Sequence, residues 1–600
     1  MWKYSQLSCR AWFIPATVAV TGWICAGSLA AAAASLPDAS PLENKRLVSR
    51  LKDVAKENSR LVRAEKVLET AADNEVWRVE LGSGNAAARR ERPAMLVVAG
   101  IEGNDLAGTA SALAWIESLA RQYPTNDRVR ALLDTTTIHV WPRVNPDAAR
   151  HYFVKPRAER ATSDRATDDD RDGTMDEDGP EDLNGDGFVT AMRVEDPAGE
   201  YILDPVDARL LVKADRLKGE RGAWRLLTEG RDNDGDERWN EDALGGVNFN
   251  RNFPYAYKFF APGAGRHQVS EPETRGLAEF IIAHPEIGVV FTFGAADNLV
   301  QTPKGEAPKR PPTALHEDDV AWFRELGKAW REQLGLKKEL VGGSEPGTFS
   351  DWMYFHRGRL SLAARPWSPA IALELAKTQA KESKDEAKKD ESKKDADAKP
   401  ADAPAEKKPA EKGKESDSRN EEERAFLKWT DQHATNAFVP WRAFEHPDFP
   451  GKRVEIGGLA PYSTVLPPAE MLGAFVAKQG SFLTDLAGRL PRIGIRKVEV
   501  KELGEGVFDI SVQIENTGYL PTASAQGQAN REVHQTRAVL KVDAGLVLSG
   551  ERTTMLGPIQ GGEMREARWV LRSKDLKAVT LEVVSMIAGR VTREIELKAN

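Results

Sequence analysis

Carboxylates at alternate positions are the densest chemical signal in this 600-residue chain. Asp168, Asp170 and Asp172 alternate ahead of Gly173, and Asp182, Asn184 and Asp186 repeat that spacing in Asp182-Leu183-Asn184-Gly185-Asp186-Gly187. A third run, Asp232-Asn233-Asp234-Gly235-Asp236, leads on to Glu241 and Asp242. Alternating oxygens closed by a glycine form the first half of a loop for a hard cation, because Ca²⁺ takes roughly six to eight oxygens around a sharp turn. Arg193 stands where the closing glutamate of the second loop belongs, so a full EF-hand is excluded. Like charges this close repel unless a cation neutralises them. Ca²⁺ is therefore the expected ligand of Asp168, Asp170, Asp172, Asp182, Asn184, Asp186, Asp232, Asp234 and Asp236, the alternative being a merely solvated acidic loop.

Other residues gain meaning from their order along the chain. Ala99-Gly100-Ile101-Glu102-Gly103-Asn104-Asp105 places two carboxylates after an apolar run, and Gly246-Val247-Asn248-Phe249-Asn250-Arg251-Asn252-Phe253-Pro254 follows the third acidic run. Then come Ser270-Glu271-Pro272-Glu273-Thr274, the stretch 289–298, Asp351-Trp352 and Ala370-Ile371-Ala372-Leu373-Glu374-Leu375. In this order the motifs resemble the landmarks of the zinc carboxypeptidases, the carboxypeptidase A-type metallopeptidases, over about residues 43–490 less a charged insertion. The resemblance implies a mixed sheet flanked by helices and Zn²⁺ held by a His-x-x-Glu pair and a later histidine. It also implies a glutamate base, and an Asn-Arg pair that grips a peptide's C-terminal carboxylate, the arginine through a charge-assisted fork.

Carried onto this chain, the family pattern keeps its carboxylate clamp as Asn250 and Arg251 and its catalytic base as Glu374. The metal motif departs from it. Glu102 stands at the first histidine, Asp105 at the glutamate and Gly294 at the third ligand, while Gly342-Gly343 lies around the family's tyrosine. Zinc favours nitrogen and sulfur donors, so two carboxylates and a glycine make a poor zinc site. Asp297 could add an oxygen, giving a set better suited to Ca²⁺, Mg²⁺ or Mn²⁺; His267 and His356 are the histidines nearest in motif context. The expected function is an exported family member with impaired or lost zinc-dependent hydrolysis that still binds peptide or protein C-termini. The alternatives are an active carboxypeptidase using displaced or non-zinc ligands on peptides or cell-wall stem peptides, and a calcium-stabilised peptide-binding or adhesion protein.

These residues need elements to hold them. Met95–Gly100, Thr137–Trp141 and Val289–Phe293 read as buried strands, and Leu106–Leu119 and Glu271–His284 as helices, the latter with Ser270 as N-cap and Pro272 in its first turn. Strands alternating with helices make an α/β domain over residues 35–375, completed by 425–490. From residue 491 the period changes to two: Phe508, Ile510, Val512 and Ile514 alternate, as do Ala538, Leu540 and Val542, and Val579, Leu581 and Val583. Residues 491–600 therefore read as a C-terminal β-sandwich.

Between the two stretches of the α/β domain, residues 376–424 hold 14 basic and 15 acidic side chains and almost no large apolar ones. Such a composition buries too little to order itself and reads as a disordered charged insertion. At the other end, Lys3 and Arg10 precede an apolar stretch and a run of small residues through Ala34, the pattern of a signal peptide over 1–34 and of export to a periplasm or the medium. Both cysteines, Cys9 and Cys25, fall inside it, which excludes a disulfide framework or a cysteine nucleophile in the mature chain. The net charge of −8 gives no basic footprint for nucleic acid, and no membrane partner is expected once the signal is cleaved.

Overall fold

The structure, a computed structural model, describes residues 38–166, 173, 175, 179–233, 235, 239, 240, 245–394 and 419–598. The signal segment lies outside them, as do residues 395–418 of the charged tract.

A six-stranded sheet forms the centre of the α/β part, in the order Val62–Glu69, Glu75–Leu81, Thr137–Trp141, Ala94–Val98, Ile287–Phe293, Leu360–Ala364. The first three strands pair antiparallel, and from Thr137–Trp141 onward all pairings are parallel. The four parallel strands are buried along their whole lengths, as continuous apolar runs covered on both faces must be. One face packs Trp115, Ile116 and Leu119 of the Leu106–Gln122 helix, Phe323 and Trp330 of Val320–Leu334, and Phe482 and Leu483 of Ala469–Gly488. The other packs Leu277, Phe280 and Ile281 of Pro272–Ala283 and Phe349, Trp352 and Met353 of Phe349–Phe355. Each such side chain stabilises the fold by about 1.5–3 kcal/mol on burial, so the strand ends that carry the site rest on a rigid base.

A second, antiparallel sheet joins strands from either side of the charged tract: Phe438–Phe444 and Val454–Leu459 continue onto Ala191–Glu195, Trp224–Thr228, Tyr201–Leu203 and Leu211–Lys213. Beyond residue 491, two four-stranded antiparallel sheets face each other across Phe508, Ile510, Val512, Ile514, Ala538, Leu540, Trp569, Val579, Leu581 and Val583. The alternation read from the sequence is thus the inward face of a β-sandwich. The fold class is the expected one, a mixed sheet flanked by helices with a C-terminal sandwich.

Two local expectations are corrected. The helix after Ser270 is capped at Glu271 with no side-chain cap bond, and Ser270 Oγ instead donates to Glu271 Oε1 at 2.8 Å. Ala370–Leu375, matched to a family landmark, lies in a helix, Pro369–Lys394, that continues into the charged tract read as disordered from 376. The strand beside Ile287–Phe293 is Leu360–Ala364.

Candidate functional site

The site is built where the parallel strands end. After Val98 the chain turns at Gly100, whose φ is +57°. A Cβ there would lie 2.8 Å from Thr109 Oγ1 and 3.1 Å from Arg143 Cα, so the turn demands glycine. The turn delivers Glu102 and Asp105 to the start of the Leu106–Gln122 helix. Asp105 is its N-cap: one carboxylate oxygen accepts from Gly108 N–H at 2.8 Å and the other from Gly100 N–H at 3.2 Å. Burial pushes its pKa up to about 7, and the buried Arg143 nearby falls to about 10 for the same reason.

Glu102 is only 5% exposed. Its Oε1 accepts from Asn250 Nδ2 at 3.1 Å and its Oε2 from Ala295 N–H at 2.8 Å. Desolvation raises its pKa against these two bonds. Gly294 closes the arrangement, because a Cβ on it would lie 2.6 Å from Glu102 Oε2. The Glu102 carboxylate therefore fills the space that a side chain at position 294 would need.

These residues do not fit zinc. The set offers no nitrogen or sulfur ligand, Gly294 has no side chain, and both carboxylates already accept from protein N–H groups, three of the four from the backbone. Asp297 brings no further ligand: Leu299 and Val300 N–H donate to its Oδ1 at 3.0 and 2.9 Å and Arg365 N–H to its Oδ2 at 3.0 Å, and burial raises its pKa to about 6. His267 is exposed with Nδ1 against Gln268 O, and His356 is exposed at a helix end with its ring edge-on to Tyr255. Neither histidine is brought to Glu102.

Asn250 and Arg251 are adjacent to this cluster but not equivalent. Asn250 is 3% exposed; its Nδ2 serves Glu102 and its Oδ1 accepts from Phe349 N–H at 3.0 Å, so it acts as a strut. Arg251 reaches outward, with Nε donating to Glu345 Oε2 at 2.5 Å and Nη1 to Pro262 O at 3.2 Å. The Glu345 contact raises its pKa. Arg365, at the end of the Leu360–Ala364 strand, holds Ala295 O through Nη2 at 2.8 Å. Arg365 also acts electrostatically on Glu102, as Glu102 does on Arg251. The sequence reading missed Arg365 and Glu345; the available signal was Arg365's place just beyond a parallel strand, where α/β sheets bind ligands.

Glu374, the residue carried over as the base, lies apart from the strand ends that hold Glu102. It lies on the Pro369–Lys394 helix within 3.5 Å of Lys338 Nζ, whereas the strand pairing with Ile287–Phe293 ends in Ala363-Ala364.

In the acidic region, the second loop closes on protein groups. Asp182 and Asn184 accept from Asp186 N–H at 3.1 and 2.8 Å, and Asp182 also accepts from Gly187 N–H at 2.8 Å. The buried Glu229 gathers the loop by accepting from Leu183, Asn184 and Thr190 N–H at 2.9, 3.3 and 2.9 Å. Asp232 accepts from Gly235 N–H at 2.6 Å. Asp168, Asp170, Asp172, Asp234 and Asp236 lie outside the described residues.

A sequence model of the zinc carboxypeptidases matches residues 47–189 and 213–380, and one described as a domain of unknown function, DUF8731, matches 492–596. Carboxypeptidase D of Homo sapiens is 33% identical over 108 residues, 18% of this chain and 8% of that protein. Carboxypeptidase D of Anas platyrhynchos is 37% identical over 73 residues, 12% of this chain and 5% of that protein. The chain thus spans less than a tenth of these curated relatives. Among solved structures, thrombin-activatable fibrinolysis inhibitor is 15% identical, covering 55% of this chain and 68% of its own, with a TM-score of 0.36. Carboxypeptidase A from Helicoverpa armigera is 14% identical, covering 53% and 63%, with a TM-score of 0.33.

Proposed function

Since the chain belongs to the zinc carboxypeptidase family, we propose that it is an exported member that binds peptide C-termini through Arg251 without zinc-dependent hydrolysis at the family's metal position. The observation that carries this reading is the fit of Glu102 into the space beside Gly294, with both carboxylate oxygens accepting from protein groups. A centre closed in this way neither holds zinc nor leaves a path for an activated water. The supporting electrostatics are those of a receptor. Arg251 and Glu345 are 38% and 52% exposed at their side chains, and such a pair contributes only about 0–1 kcal/mol. An incoming peptide carboxylate can therefore replace Glu345 on the guanidinium at small cost. Arg365 adds a second positive charge near the same cluster. Export rests on Lys3, Arg10 and the apolar run after them; among the described residues no helix is long and apolar enough to cross a membrane.

Calorimetry with a short peptide tests the clamp. Arg251→Ala should weaken binding of the free-acid peptide about 10- to 100-fold, the range for a charged hydrogen bond of about 1.5–3 kcal/mol. Amidation of the peptide should cause a similar loss in the unmodified protein and none further in Arg251→Ala. Equal binding of acid and amide would overturn the clamp.

A further inference from the structure

A second group of metal-ligating side chains lies away from Glu102. His139, in the Thr137–Trp141 strand, His284, the C-cap of the Pro272–Ala283 helix, and Glu286, just before Ile287–Phe293, are all buried, and one donor atom from each lies within 4.8 Å of the others. His139 is 1% exposed, and neither of its ring nitrogens has a hydrogen-bond partner. Leaving a buried polar group unpaired costs about 1–3 kcal/mol, so a ring with both nitrogens unpaired needs a reason. His284 Nδ1 lies 2.8 Å from Glu286 Oε1, and the two imidazoles are tilted at 59° with ring centroids 4.9 Å apart. One wall is aromatic: Phe280 packs on both imidazoles at 5.3 and 4.3 Å.

We propose that His139, His284 and Glu286 form a buried structural site for a divalent transition cation, zinc being the best match to two imidazoles and one carboxylate. Donor type decides the class of ion, because imidazole nitrogen selects zinc and its neighbours over calcium and magnesium. Tetrahedral zinc places its ligand atoms ~3.3 Å apart, as follows from Zn–N distances of about 2.0–2.1 Å. His139 can supply the closure because no hydrogen bond fixes its ring. Arg78, Arg90 and Arg89 bring positive charge near His139, and it is partly answered because Arg78 is paired with Glu65 and Arg89 with Glu80, the cross-strand partner of His139.

This site cannot stand in for the family's metal centre. Glu286 and Gly294 flank opposite ends of the Ile287–Phe293 strand, about 25 Å apart at ~3.3 Å per residue. An ion bound there would tie strand to helix in the core, far from Arg251. Bound zinc would therefore be no sign of peptidase activity in this chain.

The test is zinc stoichiometry by mass spectrometry after chelation and reloading of the full-length protein, with melting temperature measured alongside. One zinc per chain and a higher melting temperature are expected for the unsubstituted protein and for Glu102→Gln. Both should be lost in His139→Phe, which keeps a ring against Phe280. Should that variant fail to fold, Glu286→Gln, of nearly unchanged shape, gives the same comparison. No zinc in the unsubstituted protein, or zinc retained in His139→Phe or Glu286→Gln, would overturn the proposal. The peptide clamp at Arg251 is read by calorimetry, so either conclusion can fail without the other.

Discussion

Replacing Gly294 by alanine places a methyl carbon 2.6 Å from Glu102 Oε2, well inside contact distance. The backbone at this position has no positive φ, so the effect is steric and not conformational. Glu102 must move, and in moving it gives up Ala295 N–H at 2.8 Å and Asn250 Nδ2 at 3.1 Å. Hydrogen bonds to a charged group contribute about 1.5–3 kcal/mol each, and part of that is recovered by rearrangement, which puts the destabilisation of Gly294→Ala at about 2–4 kcal/mol. In a Glu102→Ala background the obstructing carboxylate is gone, and Gly294→Ala should then cost less than about 0.5 kcal/mol. The assay is a double-mutant cycle on chemical denaturation, followed by fluorescence of the tryptophans packed on the central sheet. Equal costs of Gly294→Ala in both backgrounds would refute the claim that Glu102 occupies that space.

Further tests probe the surroundings. Asp105 titrates at about 7 in the folded chain against about 3.9 when unfolded, so the native state holds the extra proton between these values and stability falls as pH rises from about 4 to 7. Asp105→Asn should flatten that decline in a pH series of denaturation midpoints by an amount on the order of 2–4 kcal/mol, leaving the same-signed contributions of Asp297 and Glu273. Asp319, buried, accepts from Ala525 N–H, Gln526 N–H and Tyr354 Oη at 2.8, 3.0 and 2.9 Å, joining the α/β part to the chain around the sandwich. Asp319→Ala should destabilise by about 2–4 kcal/mol and speed proteolysis around residues 520–533.

Much of this was legible in the sequence because it rests on local pattern. Thr137–Trp141 and the alternating runs of the sandwich appear where apolar periodicity puts them, since a buried strand and a one-sided strand differ in period. Asn250 and Arg251 were legible as a motif, but their different roles were not: whether a side chain turns inward to Glu102 or outward to Glu345 depends on the loop at Gly347, whose added Cβ would lie 2.4 Å from Arg251 O. The helix that carries Glu374 was not legible, because a short apolar run fits strand and helix equally. His139 was hidden for the opposite reason: it reads as one polar residue in a buried strand, and its partners lie some 145 residues later.

In the proposed function Arg251 holds peptide ends beside a closed Glu102 centre that does not cut them. The most direct measurement is mass spectrometry of peptides with varied C-terminal residues, incubated with the full-length protein in excess Zn²⁺. Every peptide should stay intact while the free-acid forms still bind through Arg251. Stepwise release of C-terminal residues, abolished by Glu102→Gln, would contradict it.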